Sequence, residues 1–170
     1  MLWVIAIVAL VGLDQWSKWF FFTNRVQFEN FEIIKDFFYL TYLENRGAAF
    51  GILQNFRWGF IILTVIALAG MIWYFIKNQH VLLRIALTLL VSGAVGNFID
   101  RFSRGFVVDF LHFYPFGYDF PIFNVADIFV CIGVFLLSIY LLFIYKEPVT
   151  ADSVNDIKES IEVSDGQGED

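Results

Sequence analysis

Nineteen consecutive residues, 58–76, carry no charged side chain, and Leu, Ile, Val, Ala and aromatic residues fill most of them. At a rise of about 1.5 Å per residue such a run crosses the roughly 30 Å of hydrocarbon in a bilayer. Three further stretches have similar length: 1–22, interrupted by Asp14 and Lys18; 81–99, with Arg84 near one end and Asp100 just beyond the other; and 125–145, with Asp127 near its start and Tyr140 and Tyr145 near its finish. Aromatic residues at such ends fit the interfacial belt. A hydrophobic content of 59% and a mean hydropathy of +0.69 exceed what a soluble domain tolerates. The chain is expected to be an all-α membrane protein with four transmembrane helices. Residues 1–22 lack a basic leading region and a small-x-small cleavage site, so this span is expected to be retained.

The connections between spans are unequal: residues 23–57, then only Lys77 to His80, then about 25 residues before the last span. With an even number of spans both long connections share one side, and the tight turn and the C-terminal tail share the other. In the first connection Phe38-Tyr39-Leu40-Thr41-Tyr42-Leu43 is rich in aromatic and β-branched residues and reads as a strand, which predicts a small extramembrane β-sheet from that loop. The formal charge of -6 belongs entirely to the tail, because residues 1–145 hold nine acidic and nine basic side chains. The predicted organisation is a four-helix membrane domain over 1–147 and an acidic tail over 148–170, disordered by composition. No basic patch suggests nucleic acid. The single cysteine, Cys131, excludes an internal disulfide and a cysteine-based metal site, and it reads as a small buried side chain of the last span.

Carboxylates in or beside spanning helices are costly to desolvate and mark functional sites. Asp14 lies one turn before Lys18, a spacing that serves either a neutralising ion pair or binding. Asp100 and Arg101 end the third span, where Asp can hold an Arg that bonds the last carbonyls or lipid phosphate. Asp109 sits within Phe106-Val107-Val108-Asp109-Phe110-Leu111, too apolar for a solvated loop; pairing with Arg101 or Arg104 is its bland explanation. Asp127 follows Asn124 by three positions, as in a capping box. Asp109 and Asp127 nevertheless fall on the same membrane face in segments able to converge, and two carboxyls sharing a proton form the aspartyl protease device. Asp127 in the first turn of a helix favours the anion by about 0.3–1 kcal/mol. The apolar neighbours of Asp109 favour the neutral acid. There is no H-E-x-x-H, no G-x-S-x-G and no Gly-rich phosphate loop. His80 and His112 fall on opposite sides of this topology, and His112 reads as a loop or interface residue before a metal ligand.

Taken together, Asp14-Gln15-x-Ser17-Lys18, Asn45-Arg46-Gly47-Ala48-Ala49-Phe50, Gly96-Asn97-x-x-Asp100-Arg101, Val108-Asp109-Phe110 and Phe123-Asn124-x-Ala126-Asp127 resemble the lipoprotein signal peptidase (signal peptidase II) family. The resemblance implies that Asp109 and Asp127 are the catalytic pair. It implies that Asp14, Lys18, Asn45, Gly47, Asn97, Asp100, Arg101, Asn124 and Ala126 shape the substrate pocket or support that pair. It further implies an intramembrane aspartyl endopeptidase of the bacterial inner membrane, with its active site at the outer face and both termini in the cytoplasm. The substrate would be a prolipoprotein whose cysteine bears diacylglycerol, cut on the N-terminal side of that cysteine. No metal or organic cofactor is implied; membrane phospholipid is the other expected partner, and a monomer is the expected state. The count of Lys and Arg points the other way on orientation, since more of them lie on the side of the long loops.

The competing reading is a proton-coupled carrier using Asp14, Asp100 and Asp127 as a relay, although carriers place such residues on broken helices within internal repeats, and no repeat is visible here. A catalytically inert assembly factor is a third. The composition of the tail, and its side of the membrane, predict that a chain ending at Glu147 retains cleavage of a lipopeptide in vitro; a large loss of rate on truncation would assign the tail a part in the reaction.

Overall fold

In hydrocarbon a backbone must satisfy its own polar groups, so each apolar stretch becomes a helix. The computed structural model describes residues 1–47, 53, 54 and 56–145. Within them lie α1 (Leu2–Thr23), α2 (Arg57–Lys77), α3 (Val81–Ser103) and α4 (Val125–Ile139), the last continuing into one π-helical turn, Tyr140–Ile144. All four are long and apolar enough to cross a membrane. Ala48, Ala49 and Phe50 of the first-connection motif, and the acidic tail from Lys146 onward, lie outside the described residues.

The third helix is the centre of the bundle. Half of its apolar window (50%) is buried by protein, against 17% for α1 and α4 and 6% for α2. Side-chain size explains the ranking. The buried positions of α3 include Ala86, Ser92, Gly93 and Gly96, small enough for neighbours to approach closely. The second helix turns Trp58, Ile62, Leu63, Ile66, Trp73 and Ile76 outward, and only Ile61 is buried. Close approach between α3 and α4 depends on Gly133: a Cβ there would lie 2.8 Å from Leu90 Cγ and 3.0 Å from the Ala86 carbonyl oxygen. The third helix also runs past residue 99, so Asp100 and Arg101 sit in its last turns and not beyond its end. It stops at Gly105, whose φ of +87° only glycine adopts freely.

The sheet expected from the first connection is present as β1 (Phe31–Ile34) and β2 (Phe38–Asn45). A third strand, β3 (Val107–Phe113), comes from the second connection, where no strand was expected. All pairings are antiparallel in the order β1-β2-β3, with Leu43 opposite Asp109 and Asn45 opposite Val107. Alternation failed to reveal β3 because Val107, Val108, Asp109 and Phe110 are all buried. One face packs on the end of α1, where the Phe110 and Phe21 rings stack at 4.0 Å beside Phe28, Phe106 and Val108. Beyond a turn over Pro115–Gly117 the chain returns along β3, and Phe123 exchanges backbone hydrogen bonds with Leu111 (2.8 and 3.0 Å) immediately before α4 begins. That exchange sets the start of α4 beside Asp109.

The packing at Gly133 yields a stability prediction. Gly133→Ala is expected to destabilise the detergent-solubilised protein by about 1–3 kcal/mol in thermal unfolding, the usual cost of overpacking. Gly12→Ala and Gly70→Ala, where a Cβ meets nothing within 4 Å, should be neutral or slightly stabilising.

Candidate active site

The site begins with a buried ion pair on α1. Asp14 and Lys18 are both fully buried, with Nζ 2.9 Å from Asp14 Oδ2 and 3.7 Å from Asp100 Oδ2. The other oxygen of Asp14 accepts the backbone N–H of Ala126 at 2.9 Å, so α1 holds the first turn of α4. Gly96 lies where a Cβ would collide with the Asp14 carboxylate, and its carbonyl accepts Gln15 Nε2 at 3.0 Å. The pair is therefore internal to the protein and bridges three helices; it does more than let α1 sit in lipid.

Asp100 performs the scaffold role that its helix-end position suggested, with different partners. Its carboxylate accepts the Val108 N–H at 3.1 Å, which ties β3 to α3, and it pairs with Arg104 at 3.3 Å. Arg101 instead donates to the Gly47 carbonyl at 3.2 Å and lies over the Phe60 ring at 4.9 Å.

Asp109 and Asp127 do converge. Asp109 Oδ1 accepts Asn124 Nδ2 (2.6 Å) and Oδ2 accepts Asn45 Nδ2 (2.8 Å). Asp127 Oδ1 accepts Asn97 Nδ2 (2.8 Å). The capping box is real as well: Asp127 Oδ2 accepts the Asn124 N–H, and Asn124 Oδ1 accepts the Asp127 N–H, each at 3.1 Å. Cap and site residue are thus the same carboxylate, one oxygen serving each purpose. No ion pair to Asp109 occurs among the described residues, which removes the bland explanation through Arg101 or Arg104. Burial first, and the negative charge of Asp127 second, push the Asp109 carboxyl up to about 7. The bonds from Asn45 and Asn124 and the charge of Lys18 oppose that rise.

Both carboxylates open into one cavity of about 490 Å³. Asn45 and Arg101 complete its polar side. Phe120, Pro121 and Ile122 of the returning segment, with Ile128, Cys131 and Ile132 of α4, form the apolar side. Cys131 is exposed to this cavity and is not the buried filler its apolar context suggested. The apolar wall escaped the sequence reading, since Phe120-Pro121-Ile122 resembles any interfacial loop until the Phe123–Leu111 exchange folds it back. Gln15 and Gly96 stand in the sequence motifs without a role of their own for the same reason: their contacts exist only against another helix. His112 is a buried strand residue whose Nε2 lies 2.7 Å from Asp119 Oδ1, with Nδ1 3.3 Å from Thr41 Oγ1.

Known proteins resemble this chain in sequence and in fold. Residues 6–143 match the family described as Signal peptidase (SPase) II. A lipoprotein signal peptidase of Symbiobacterium thermophilum is 49% identical over 146 residues, covering 85% of this chain and 95% of that protein. Another, of Clostridioides difficile, is 44% identical over 144 residues, covering 84% and 96%. Among solved structures, a bacterial membrane enzyme determined by the in meso method superposes with a TM-score of 0.78 at 40% identity, covering 87% of this chain and 94% of that one. The carrier reading is not favoured, since two of its three relay residues, Asp14 and Asp100, are bound by Lys18, Arg104 and backbone donors. Sequence match, fold and site agree that this chain belongs to the signal peptidase II family, membrane-embedded aspartic-type peptidases that cleave signal peptides from prolipoproteins.

Proposed function

We propose that Asp109 and Asp127 are the catalytic pair and that the substrate cysteine already carries diacylglycerol, cleavage falling on its N-terminal side. The observation that carries this reading is the two-sided cavity, with two hydrogen-bonded carboxylates on one side and an apolar wall on the other. A lipid-modified precursor presents a peptide bond and acyl chains together at headgroup level, which is the pairing of surfaces this cavity offers. The exposed Trp16, Trp19 and Trp58 lie toward the same end of the bundle, as residues at a headgroup boundary do. With that end at the outer face of the inner membrane, both termini lie in the cytoplasm, phospholipid covers the outward faces of α1, α2 and α4, and a monomer suffices.

In the resting site Asp109 carries the proton and Asp127 is ionised. Asp127 takes a proton from a water molecule as its oxygen attacks the scissile carbonyl carbon, and the Asp109 proton passes to the carbonyl oxygen. On collapse the C–N bond breaks and the proton on Asp127 goes to the leaving nitrogen. One hydroxyl proton of the intermediate returns to Asp109, leaving a carboxylic acid, an amine and the starting pair. Arg101 contributes a fixed positive charge at the cavity edge.

Two expected outcomes test the reading. Asp109→Asn and Asp127→Asn, each folded and membrane-inserted, should slow cleavage of a diacylglyceryl prolipoprotein by at least about 10²–10⁴-fold, the range of general acid–base catalysis; mass loss equal to the signal peptide is the readout, and near-normal cleavage by either variant refutes the assignment. The second concerns pH. With Asp109 pushed up to about 7, activity should fall as pH rises through that region and the proton leaves. Asn45 donates to the Asp109 carboxylate and so favours its charged form. Asn45→Ala should therefore move the basic limb of the profile to higher pH, whereas a shift to lower pH would contradict the protonated role of Asp109.

A further inference from the structure

Three asparagines surround the catalytic pair, and an amide offers an acceptor at one end and a donor at the other. Which end faces a carboxylate depends on what holds the opposite end. Asn45 has Gly47 N–H at 3.0 Å and Asn124 has Asp127 N–H at 3.1 Å. A backbone N–H only donates, so in both residues the oxygen faces the backbone and the Nδ2 group faces Asp109. These two amides are set by the loop and by the helix start, whose backbone positions are fixed.

Asn97 differs, because among the described residues no backbone group bonds its amide. Its Oδ1 accepts the Lys18 ammonium at 2.8 Å and, more weakly, Asn124 Nδ2 at 3.3 Å. An ammonium has three hydrogens and no lone pair. With Lys18 fully buried and its Nζ fixed by Asp14 and Asp100, Asn97 must turn its oxygen inward and its Nδ2 group toward Asp127. The charged groups facing Asp127 directly are Asp109 from β3 and Arg101 from α3; Asp14, Lys18 and Asp100 stand behind Asn97 and Ala126.

We propose that Lys18 is a positioning residue for cleavage: through the Asn97 amide it keeps a hydrogen-bond donor on Asp127 and so assigns Asp127 the ionised, water-activating role. This rests on Asp109 and Asp127 being the catalytic pair. The alternative for Lys18 is charge compensation for Asp14 and Asp100 alone, which leaves the state of Asp127 independent of it.

The test is a kinetic cycle on purified full-length protein with a diacylglyceryl prolipoprotein. Lys18→Met alone strands buried carboxylates and can fail to fold, so it is combined with Asp14→Asn, which can still accept the Ala126 N–H. The double variant should lower kcat about tenfold, the scale of one hydrogen bond to a charged group, with KM little changed. Asn97→Leu should reproduce the loss in kcat, again with KM little changed, while Lys18 is intact, and adding it to the double variant should cost little more. Additive losses in kcat, or a near-normal kcat in Asn97→Leu, overturn the proposal. Activity surviving in Asp127→Asn would instead overturn the catalytic pair, so the two failures are distinguishable.

Discussion

The Asp14–Lys18 pair is the interaction on which the rest of the site depends. Two charges with no exposed surface are tolerable in a membrane protein only when each is neutralised and hydrogen-bonded, and here the partners come from three helices. Asp14 takes the Ala126 N–H of α4, and Lys18 takes Asn97 and Asp100 of α3. Removing one partner of such a pair costs about 3–5 kcal/mol, a strong restraint on how the helices sit. Apolar packing between helices in lipid is weakly directional by comparison. Gly96 is part of the same restraint, because a side chain there would displace the carboxylate.

From that anchor the geometry propagates outward through short polar links. Asp100 ties β3 to α3 through Val108 N–H, Phe123 ties the entry to α4 onto β3, and Asn124 spans the gap between Asp127 and Asp109. Each link uses a backbone N–H or an amide, groups that a bilayer boundary would otherwise leave unsatisfied. The cap of α4 and one carboxylate of the cavity are therefore the same side chain, and a helix start that must be capped in any case also orients that carboxylate.

Much of the fold was legible because a bilayer enforces simple rules. Length and apolarity identified all four spans within a few residues, and the aromatic run at 38–43 identified β2. The strand β3 was not legible, since burial on both faces erased the alternation that marks a strand. The end of α3 was placed too early because Asp100 and Arg101 look like boundary residues, yet both are satisfied by protein partners within the last turns. Asp109 stood out for a sound physical reason: a carboxylate in an apolar run has no local partner. Asp127 was ambiguous because its spacing to Asn124 explains it equally well as a cap.

By itself the sequence determined the number of spans, their order, the shared side of the two long connections and, through five short motifs, the family. Those properties follow from hydrophobic length and residue identity, which are local. Only the tertiary structure decided which helix is central, that β3 belongs to the sheet, that Cys131 and Phe120-Pro121-Ile122 line the cavity, and that one oxygen of Asp127 caps while the other is held by Asn97. Hydrogen bonds between residues about 80 and 112 positions apart, such as those from Lys18 to Asn97 and from Ala126 to Asp14, are matters of distance and direction between packed helices, and sequence spacing carries no record of them.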